Sequence, residues 1–428
     1  CSNLKWASFS CWRYLMSLID HLNKIYDTKS KPFLIYQNTE LKFSDIINEK
    51  QINLDIVKPG DVVALIGDFN ASSISTLLRL IDLKTIIVPL TIETKNTHDY
   101  FFESALVDVV IDDGKAKQIK QNDQHILIEN LRQKSHAGLI LFSTGTTGRP
   151  KAILHDMTLF LERFQTPRPT LKMINFLLFD HIGGINTLLH TIFNRGIVVA
   201  PIDRNVDSIL KTCTKYKVEV LPTTPTFLRL MLLSGFVPSK IPNCLKIITY
   251  GTERMDQSTL DALCKLLPNI DFRQTYGMSE LGIVRVKSKA RNSLYMKIGG
   301  EGVETKIDNK VLQIRSKTRM LGYLNAKSPF DKNGWYDTKD IVEESDGYIK
   351  ITGRTVDVIN VGGLKFMASE VERIALMYPN VGLVKAFHKF DMAFKNNFIT
   401  YAVWWIRQCI MNAIHEHAKL IRLPANKI

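Results

Sequence analysis

Short apolar runs alternate along this chain with amphipathic segments. Four of them have the length and β-branched content of buried strands: residues 61–66, 85–89, 218–221 and 246–250. The segment 72–83, which follows the first run, is predicted to be a helix. This alternation predicts an α/β fold built on mainly parallel sheets.

Another helix is predicted between Asp256 and Pro268. Asp256 can serve as its N-cap, and Pro268 cannot continue a helix. We expect its buried face to consist of four leucines: Leu260, Leu263, Leu266 and Leu267.

The pattern changes after about residue 285 to short strands and tight turns. Two hairpins are predicted, one over residues 304–316 turning at 308–310 and one over 340–351 turning at 346–347. We therefore expect a large N-terminal domain, residues 1–352, of αβ subdomains plus a small β-barrel-like part. A small mobile α+β domain, residues 353–428, is expected to follow and to be incomplete in this chain. Ser369 and Glu372 fit a capping box in that domain.

Composition narrows the class of protein. The chain has 428 residues, 45% hydrophobic and 23% charged, which suits a soluble globular protein of two or more domains. No apolar run approaches the roughly 18 residues of a membrane span. Six cysteines without a C-x-x-C pair predict reduced, mostly buried thiols. With no signal peptide visible, we expect a cytoplasmic protein.

The net charge of +14 raises the question of an anionic partner. Lysines and arginines are spread along the whole chain, and no zinc-finger, RNA-recognition or KH signature is present. Nucleic acid is therefore not expected as a partner. The charge fits a lysine-rich surface or a positive field around a site for phosphorylated ligands.

The strongest candidate for chemistry is a loop rich in hydroxyl groups and glycines. An apolar strand, residues 139–142, runs into this loop, and Ala152 begins another strand. Glycines let the backbone approach an anion, hydroxyls donate hydrogen bonds, and a lysine adds positive charge. The loop is not a Walker loop, because Pro150 precedes its lysine and no helix follows. Its candidate phosphate ligands are Ser143, Thr144, Gly145, Thr146, Thr147, Gly148 and Lys151.

This loop resembles the signature of the adenylate-forming superfamily, whose members include acyl-CoA synthetases, carrier-loading adenylation domains and firefly luciferase. The resemblance extends over roughly residues 30–428. It implies that a carboxylic acid reacts with ATP to give an acyl-adenylate, which then passes its acyl group to the thiol of CoA. ATP, Mg²⁺ and CoA are the implied cofactors and co-substrates. The segments 176–184, 221–227 and 247–253 look most like fatty-acyl members, so a fatty acid is the expected substrate.

Further motifs in the same order carry implied roles. His181 would lie beside the acyl-adenylate, and the turn Gly251-Thr252-Glu253 would face adenine. In the block beginning Tyr276-Gly277, the tyrosine would stack on adenine. Ser279 would then bond the α-phosphate and Glu280 would hold Mg²⁺.

The last motifs lie toward the C-terminus. Asp340 would accept hydrogen bonds from both ribose hydroxyls, and Arg354 would contact ribose or phosphate. Gly362 and Gly363 would let pantetheine pass, and the following Lys365 is typical of acyl-CoA ligases. Taken alone, His181 could be a loop histidine and the glycine pair a β-turn.

Two positions depart from the family pattern. Val356 stands where members usually have Asp or Lys, and Lys427 lacks the preceding glycine of the family's catalytic Gly-Lys loop. We expect that loop to lie beyond the end of this chain. Two alternatives therefore stay open: an enzyme that loads the pantetheine of an acyl carrier protein, and a catalytically weak nucleotide-binding homologue.

Overall fold

The fold is taken from a computed structural model. It describes residues 17–26, 31–48, 54–119, 123–143, 149–164, 166 and 168–355, and the backbone of 358–361 and 364–367. The chain divides into two compact units. The first comprises residues 1–306, 313–337 and 344–349, and the second comprises residues 307–312, 338–343 and 350–428.

The α-helices of the described residues are numbered in chain order: α1 Leu18–Tyr26, α2 Phe43–Ile47, α3 Ala71–Asp82, α4 His98–Ala105, α5 Ile126–Lys134, α6 Met157–Leu161, α7 Ile182–Phe193, α8 Val206–Tyr216, α9 Pro225–Leu233 and α10 Gln257–Leu266. Short 3₁₀ helices span Ile92–Thr97 and Glu162–Phe164.

The strands of the described residues are β1 Leu34–Tyr36, β2 Thr39–Leu41, β3 Val62–Ile66, β4 Ile86–Leu90, β5 Val109–Asp112, β6 Lys115–Gln118, β7 Gly138–Phe142, β8 Ala152–Asp156, β9 Lys172–Ile174, β10 Ile197–Val199, β11 Val220–Thr223, β12 Ile247–Tyr250, β13 Asp271–Gln274, β14 Tyr276–Met278, β15 Gly282–Ser288, β16 Met296–Gly299, β17 Val303–Asp308, β18 Val311–Ser316, β19 Gly322–Tyr323, β20 Tyr336–Ser345, β21 Tyr348–Arg354, β22 Val358–Val361 and β23 Leu364–Met367.

Two seven-stranded sheets form most of the first unit. One has the order β19-β8-β7-β4-β3-β5-β6, in which β5, β3, β4 and β7 run parallel. The other has the order β13-β12-β11-β9-β10-β1-β2 and is parallel from β13 to β1. The central strands are buried because helices cover parallel sheets on both faces. The predicted α/β class is confirmed, and each predicted strand lies within two residues of its expected position.

Polar caps fix where the long helices begin. Asn70 accepts a hydrogen bond from Ser73 N at the start of α3, and Asp256 does the same for Thr259 N at α10. The expected face of α10 is wrong at one position, since Leu266 is 40% exposed. Leu260 and Leu263 are buried, but Leu266 lies about 60° further round the helix than Leu263, at the edge of this face.

Both predicted hairpins are confirmed, and each turns through two consecutive residues with positive φ. These are Asn309 and Lys310 between β17 and β18, and Asp346 and Gly347 between β20 and β21. Such turns match the twist of the flanking strands. Elsewhere in the first unit, β14, β15 and β16 pair antiparallel in that order.

The three segments of the second unit run side by side, because Val342 N donates to Lys310 O and Thr352 Oγ1 donates to Ile341 O. Strands β22 and β23 form an antiparallel pair. Val356, the capping box of Ser369 and Glu372, and Lys427 lie outside the described residues.

Three of the six cysteines fall in the described residues, and all three are free thiols. Cys213 is buried, whereas Cys244 and Cys264 are half-buried, so the expectation of mostly buried thiols is met at one of the three. None of the helices in the described part of the chain has both the length and the apolar content needed to cross a bilayer.

Candidate active site

The glycine- and hydroxyl-rich loop leaves β7 and returns as β8, and these strands pair antiparallel. Its two ends are tied together, since Ser143 N donates to Lys151 O at 3.0 Å and Lys151 N donates to Ser143 Oγ at 3.0 Å. The strands therefore hold the ends of the loop at a fixed separation. The tip residues Thr144, Gly145, Thr146, Thr147 and Gly148 lie outside the described residues.

The returning end of the loop is held by side chains that no sequence motif indicated. Tyr100 Oη donates to Pro150 O at 2.7 Å, and Asn325 Nδ2 donates to the same oxygen at 3.1 Å. Asn325 Oδ1 also accepts from Ala152 N at 2.9 Å. Lys151 therefore stands between two anchored residues.

Lys151 and Glu280 both contact one tyrosine, Tyr323. The Lys151 Nζ atom is 4.9 Å from the centroid of the Tyr323 ring, a cation–π contact. Tyr323 Oη donates to Glu280 Oε1 at 2.7 Å. Burial raises the pKa of Tyr323, and the adjacent Glu280 carboxylate raises it further, so the phenol stays protonated.

The backbone carbonyls of Ser279 and Glu280 are each bound by a residue from another part of the chain. His155 Nε2 lies 2.6 Å from Ser279 O, and Met320 N donates to Glu280 O at 2.8 Å. Burial lowers the pKa of His155 to about 4, so the ring is neutral. Because its partner is a carbonyl, Nε2 carries the proton.

A buried arginine fixes the residues that follow Glu280. Arg163 donates to Leu281 O at 2.6 Å, to Ile283 O at 3.2 Å and to Thr318 O at 3.0 Å. Burial lowers the pKa of Arg163 to about 10, which leaves the guanidinium charged at neutral pH. Gly282 between these carbonyls has φ +72°, and a Cβ there would lie 2.1 Å from the arginine Nη1.

The predicted adenine turn packs against the block beginning Tyr276. A Cβ on Gly251 would lie 2.1 Å from Thr275 Oγ1, which itself donates to Tyr250 O at 3.1 Å. Thr252 has φ 68°, a strained conformation for a β-branched residue. Tyr276 is 7% exposed. Next to it, Gly277 lies so close to Ile283 that a Cβ would be 2.8 Å from the Ile283 Cα.

Glu253, the third residue of the predicted adenine turn, contacts a different element. Glu253 Oε2 accepts a hydrogen bond from Thr226 N at 3.2 Å, in the first turn of α9. A carboxylate is favoured there by the helix dipole. The observed role of Glu253 is thus to join the turn to α9.

His181 lies at the N-cap of α7 and is half-exposed. Its Nε2 atom is 3.8 Å from Asp180 Oδ1, and burial raises the pKa of that aspartate. A Cβ on Gly184 would lie 1.9 Å from Leu178 O, so only glycine fits this turn. Within the described residues, no hydrogen bond or ion pair joins His181 to Lys151, Ser279 or Glu280.

In the second unit, the two predicted ribose ligands meet. Asp340 is buried, and its Oδ1 lies 3.2 Å from Arg354 Nε. Arg354 also donates to Thr338 O at 3.1 Å. Gly362 and Gly363 lie outside the described residues, and of Lys365 only the backbone is described, paired with Asn360.

The donor set near Glu280 fits magnesium bound together with a nucleotide. The described residues contain no cluster of three or more His, Cys, Asp or Glu side chains able to hold a metal alone, and none of their cations pairs with Glu280. Mg²⁺ is commonly held by one or two carboxylates, with phosphate oxygens and water completing its shell. A single carboxylate beside a phosphate loop suits that arrangement.

Comparison with known protein families identifies the family of this chain. The family model described as AMP-binding enzyme matches residues 57–315, more than half of the chain. The chain belongs to the AMP-binding enzyme family. It is therefore a member of the adenylate-forming superfamily, as its motifs predicted.

Two curated relatives and one solved structure illustrate the range of the AMP-binding enzyme family. The chain is 26% identical over 306 residues to 4-coumarate–CoA ligase 4 of Arabidopsis thaliana, covering 63% of this chain and 54% of that protein. It is 26% identical over 282 residues to the medium/long-chain-fatty-acid acyl-carrier-protein ligase FadD10 of Mycobacterium tuberculosis, covering 55% and 50%. The chain thus spans about half the length of these relatives.

The solved structure is the o-succinylbenzoate coenzyme A synthetase of Bacillus subtilis in complex with ATP and magnesium ion. It superposes with a TM-score of 0.66 at 17% identity, covering 84% of each chain. At this identity the likeness establishes the fold of this AMP-binding enzyme family member.

Proposed function

We propose that this protein activates a carboxylic acid in two steps. A carboxylate oxygen attacks the α-phosphorus of ATP, and the bond to the leaving pyrophosphate breaks. The sulfur of CoA then attacks the acyl carbonyl, loses its proton, and AMP departs. The observation that carries this proposal is the contact chain Lys151–Tyr323–Glu280 at the base of the phosphate loop.

The loop and its lysine would neutralise the transferred phosphates. Its backbone and hydroxyl groups, from Ser143 to Gly148, would donate hydrogen bonds, and Lys151 would supply fixed positive charge. Glu280 would hold Mg²⁺, which supplies charge neutralisation on the phosphate oxygens when bound. Ser279 would bond the α-phosphate. The relative solved with ATP and magnesium supports this pair of ligands.

Adenine and ribose would be bound by separate elements. The strained turn at Gly251 and Thr252 would face the adenine edge, with Tyr276 beside the base. Asp340 would accept hydrogen bonds from both ribose hydroxyls, since a carboxylate offers paired acceptors. Arg354, already 3.2 Å from Asp340, would hold that carboxylate and contact ribose or phosphate.

We propose a fatty acid as the acid, with His181 beside its carbonyl group. The fatty-acid ligase among the relatives supports this class. The pantetheine arm of CoA would pass Gly362, Gly363 and Lys365, in a small domain spanning residues 353–428. Because ATP and CoA are both consumed, the cytoplasm is the proposed location.

The test is pyrophosphate release by the full chain, supplied with Mg²⁺, ATP and a panel of fatty and aromatic acids. Release with one class of acid, followed by CoA-thioester formation detected by mass spectrometry, is the expected result. The variant Glu280→Gln should slow release. Folded protein that releases no pyrophosphate with any acid in the panel would overturn the proposal.

A second acceptor is favoured by one observation, the similarity to a ligase that acts on acyl-carrier protein. In that case the thiol belongs to a carrier protein's pantetheine. Supplying CoA and a pantetheinylated carrier separately distinguishes the two, since the true acceptor discharges the adenylate far faster.

A further inference from the structure

Tyr323 is a buried residue that belongs to none of the predicted site motifs. It is 6% exposed, yet its hydroxyl and its ring each contact a predicted site residue. Its hydroxyl lies 2.7 Å from Glu280 Oε1, and its ring centroid lies 4.9 Å from Lys151 Nζ. One side chain therefore touches both the lysine of the phosphate loop and the candidate metal ligand.

The backbone around Tyr323 reinforces both contacts. Strand β19 pairs antiparallel with β8, placing Tyr323 opposite Ile153, two residues after Lys151. Three residues before Tyr323, Met320 N donates to Glu280 O at 2.8 Å. The tyrosine is thus fixed between the strand that leaves the phosphate loop and the segment that carries Glu280.

The chemistry of this hydrogen bond is directional. A carboxylate offers about two lone-pair sites on each oxygen and can rotate about its terminal torsion. A phenol that donates to Oε1 selects one orientation and leaves Oε2 to a cation.

We propose that Tyr323 is a positioning residue that orients the Glu280 carboxylate for a divalent cation bound with ATP. This inference rests on the proposed function, because the metal role of Glu280 belongs to it. Tyr323 would act only through Glu280. The ring contact with Lys151 would place the two charged groups at a fixed separation.

The test is the Mg²⁺ dependence of ATP binding, measured by calorimetry without any acid substrate. In Tyr323→Phe the ring and its packing remain and only the hydroxyl is lost. The Mg²⁺ concentration needed for half-maximal enhancement should rise about 10- to 100-fold, the usual effect of removing a group that orients a metal ligand. ATP affinity in EDTA should match that of the unmodified protein.

Tyr216→Phe is the matched control. It also removes a tyrosine hydroxyl that makes a hydrogen bond, to Asn38 Oδ1 at 2.6 Å, but on α8. Its Mg²⁺ response should equal that of the unmodified chain. A Tyr323→Phe protein that loses its folded state without ligand would show that the hydroxyl is structural, and would overturn the proposal.

The variant Glu280→Gln distinguishes a failure of the Tyr323 proposal from a failure of the proposed metal role of Glu280. The double variant Tyr323→Phe/Glu280→Gln should respond to Mg²⁺ as Glu280→Gln alone does. If Glu280→Gln impairs the response but Tyr323→Phe leaves it intact, or if the double variant is clearly worse than the single, Tyr323 does not act through Glu280. If Glu280→Gln itself leaves the response unchanged, the metal role in the proposed function fails, and this inference fails with it.

Discussion

At the residue scale, the backbone of the segment after Met278 is held by side chains from distant parts of the chain. Two basic side chains, His155 and Arg163, bind the carbonyls of residues 279, 281 and 283. A neutral histidine and a buried guanidinium are both used as donors to backbone. Each such bond contributes modestly to stability, but leaving a buried donor unpaired is costly. The arrangement fixes the backbone of the segment that carries Ser279 and Glu280.

Lys151→Ala is expected to reduce the rate of pyrophosphate release by about 10²–10³, the usual effect of losing one preorganised electrostatic group. Its backbone hydrogen bonds to Ser143 involve main-chain atoms, so the loop ends should remain tied. Lys211→Ala is the control, since Lys211 is an exposed lysine paired with Asp207 on α8. Equal rates in the two variants would contradict the assignment of Lys151.

Asp340→Ala should weaken ATP binding about 10- to 100-fold, since hydrogen bonds to charged groups contribute about 1.5–3 kcal/mol. The unmodified protein should prefer ATP to 2′-deoxy-ATP, and the variant should discriminate less. Binding of both nucleotides is measured by calorimetry, with Asp346→Ala, at an exposed turn, as the control. A variant that still discriminates fully would exclude Asp340 as the ribose ligand.

At the element scale, the N-terminus of α10 depends on one carboxylate. Asp256 accepts hydrogen bonds from Ser258 Oγ and Thr259 N, and pairs with Arg229 Nε at 3.1 Å. Burial raises the pKa of Asp256, but these hydrogen bonds and the arginine outweigh it and lower the pKa to about 2. The cap therefore joins α10 to α9, on which Arg229 lies.

This depressed pKa predicts how stability depends on pH. A carboxyl with a lower pKa in the folded state stabilises the protein above its unfolded pKa of 3.8, and that contribution is lost as pH falls through about 2. Urea unfolding should show Asp256→Asn to be less stable by about 2 kcal/mol near neutral pH, with a gap that narrows below about pH 4.

Asp261→Asn, at an exposed position of the same helix, is the control for this measurement and should differ little from the unmodified protein. A gap for Asp256→Asn that stays constant down to about pH 3 would show that its charge does not contribute.

At the scale of the whole molecule, the proposed nucleotide ligands come from many separate elements. Apart from Asp340, which lies within β20, those among the described residues occupy the ends of strands and the turns between them, as is usual in α/β folds. Bound nucleotide would therefore contact several of these elements at once. Ligands that bind only the folded state stabilise it by mass action.

We expect ATP with Mg²⁺ to raise the melting temperature. At a ligand concentration 100 times Kd, the free energy of unfolding should increase by about 2.7 kcal/mol. ATP with EDTA should give a smaller shift, because the phosphates then lack their cation. Differential scanning calorimetry of the full chain measures both. An unchanged melting temperature at millimolar Mg²⁺ and ATP would contradict nucleotide binding.

Much of the architecture could be predicted from local patterns. The strands β3 and β4, the cap at Asp256 and the hairpin turn at Asp346 depend on residues close together in the sequence. Hydrophobic period, capping side chains and positive-φ turns are short-range effects. The motifs also gave the family, because their residue order is a property of the chain itself.

Only the tertiary structure showed how the site is supported. None of the motifs identified in the sequence includes Tyr323, Asn325 or His155. Their partners lie far away in the chain: 43 residues separate Tyr323 from Glu280 and 124 separate His155 from Ser279. The pairing of β19 with β8 brings Tyr323 beside the phosphate loop.

The physical reason is the range over which each interaction acts. A side chain's helical or extended preference is set by its nearest neighbours along the backbone, so sequence alone determined the order of elements and the loop chemistry. A hydrogen bond between distant residues exists only once strands have paired and water has been excluded. Which tyrosine orients the glutamate, and which leucine of α10 stays exposed, was therefore decided by packing.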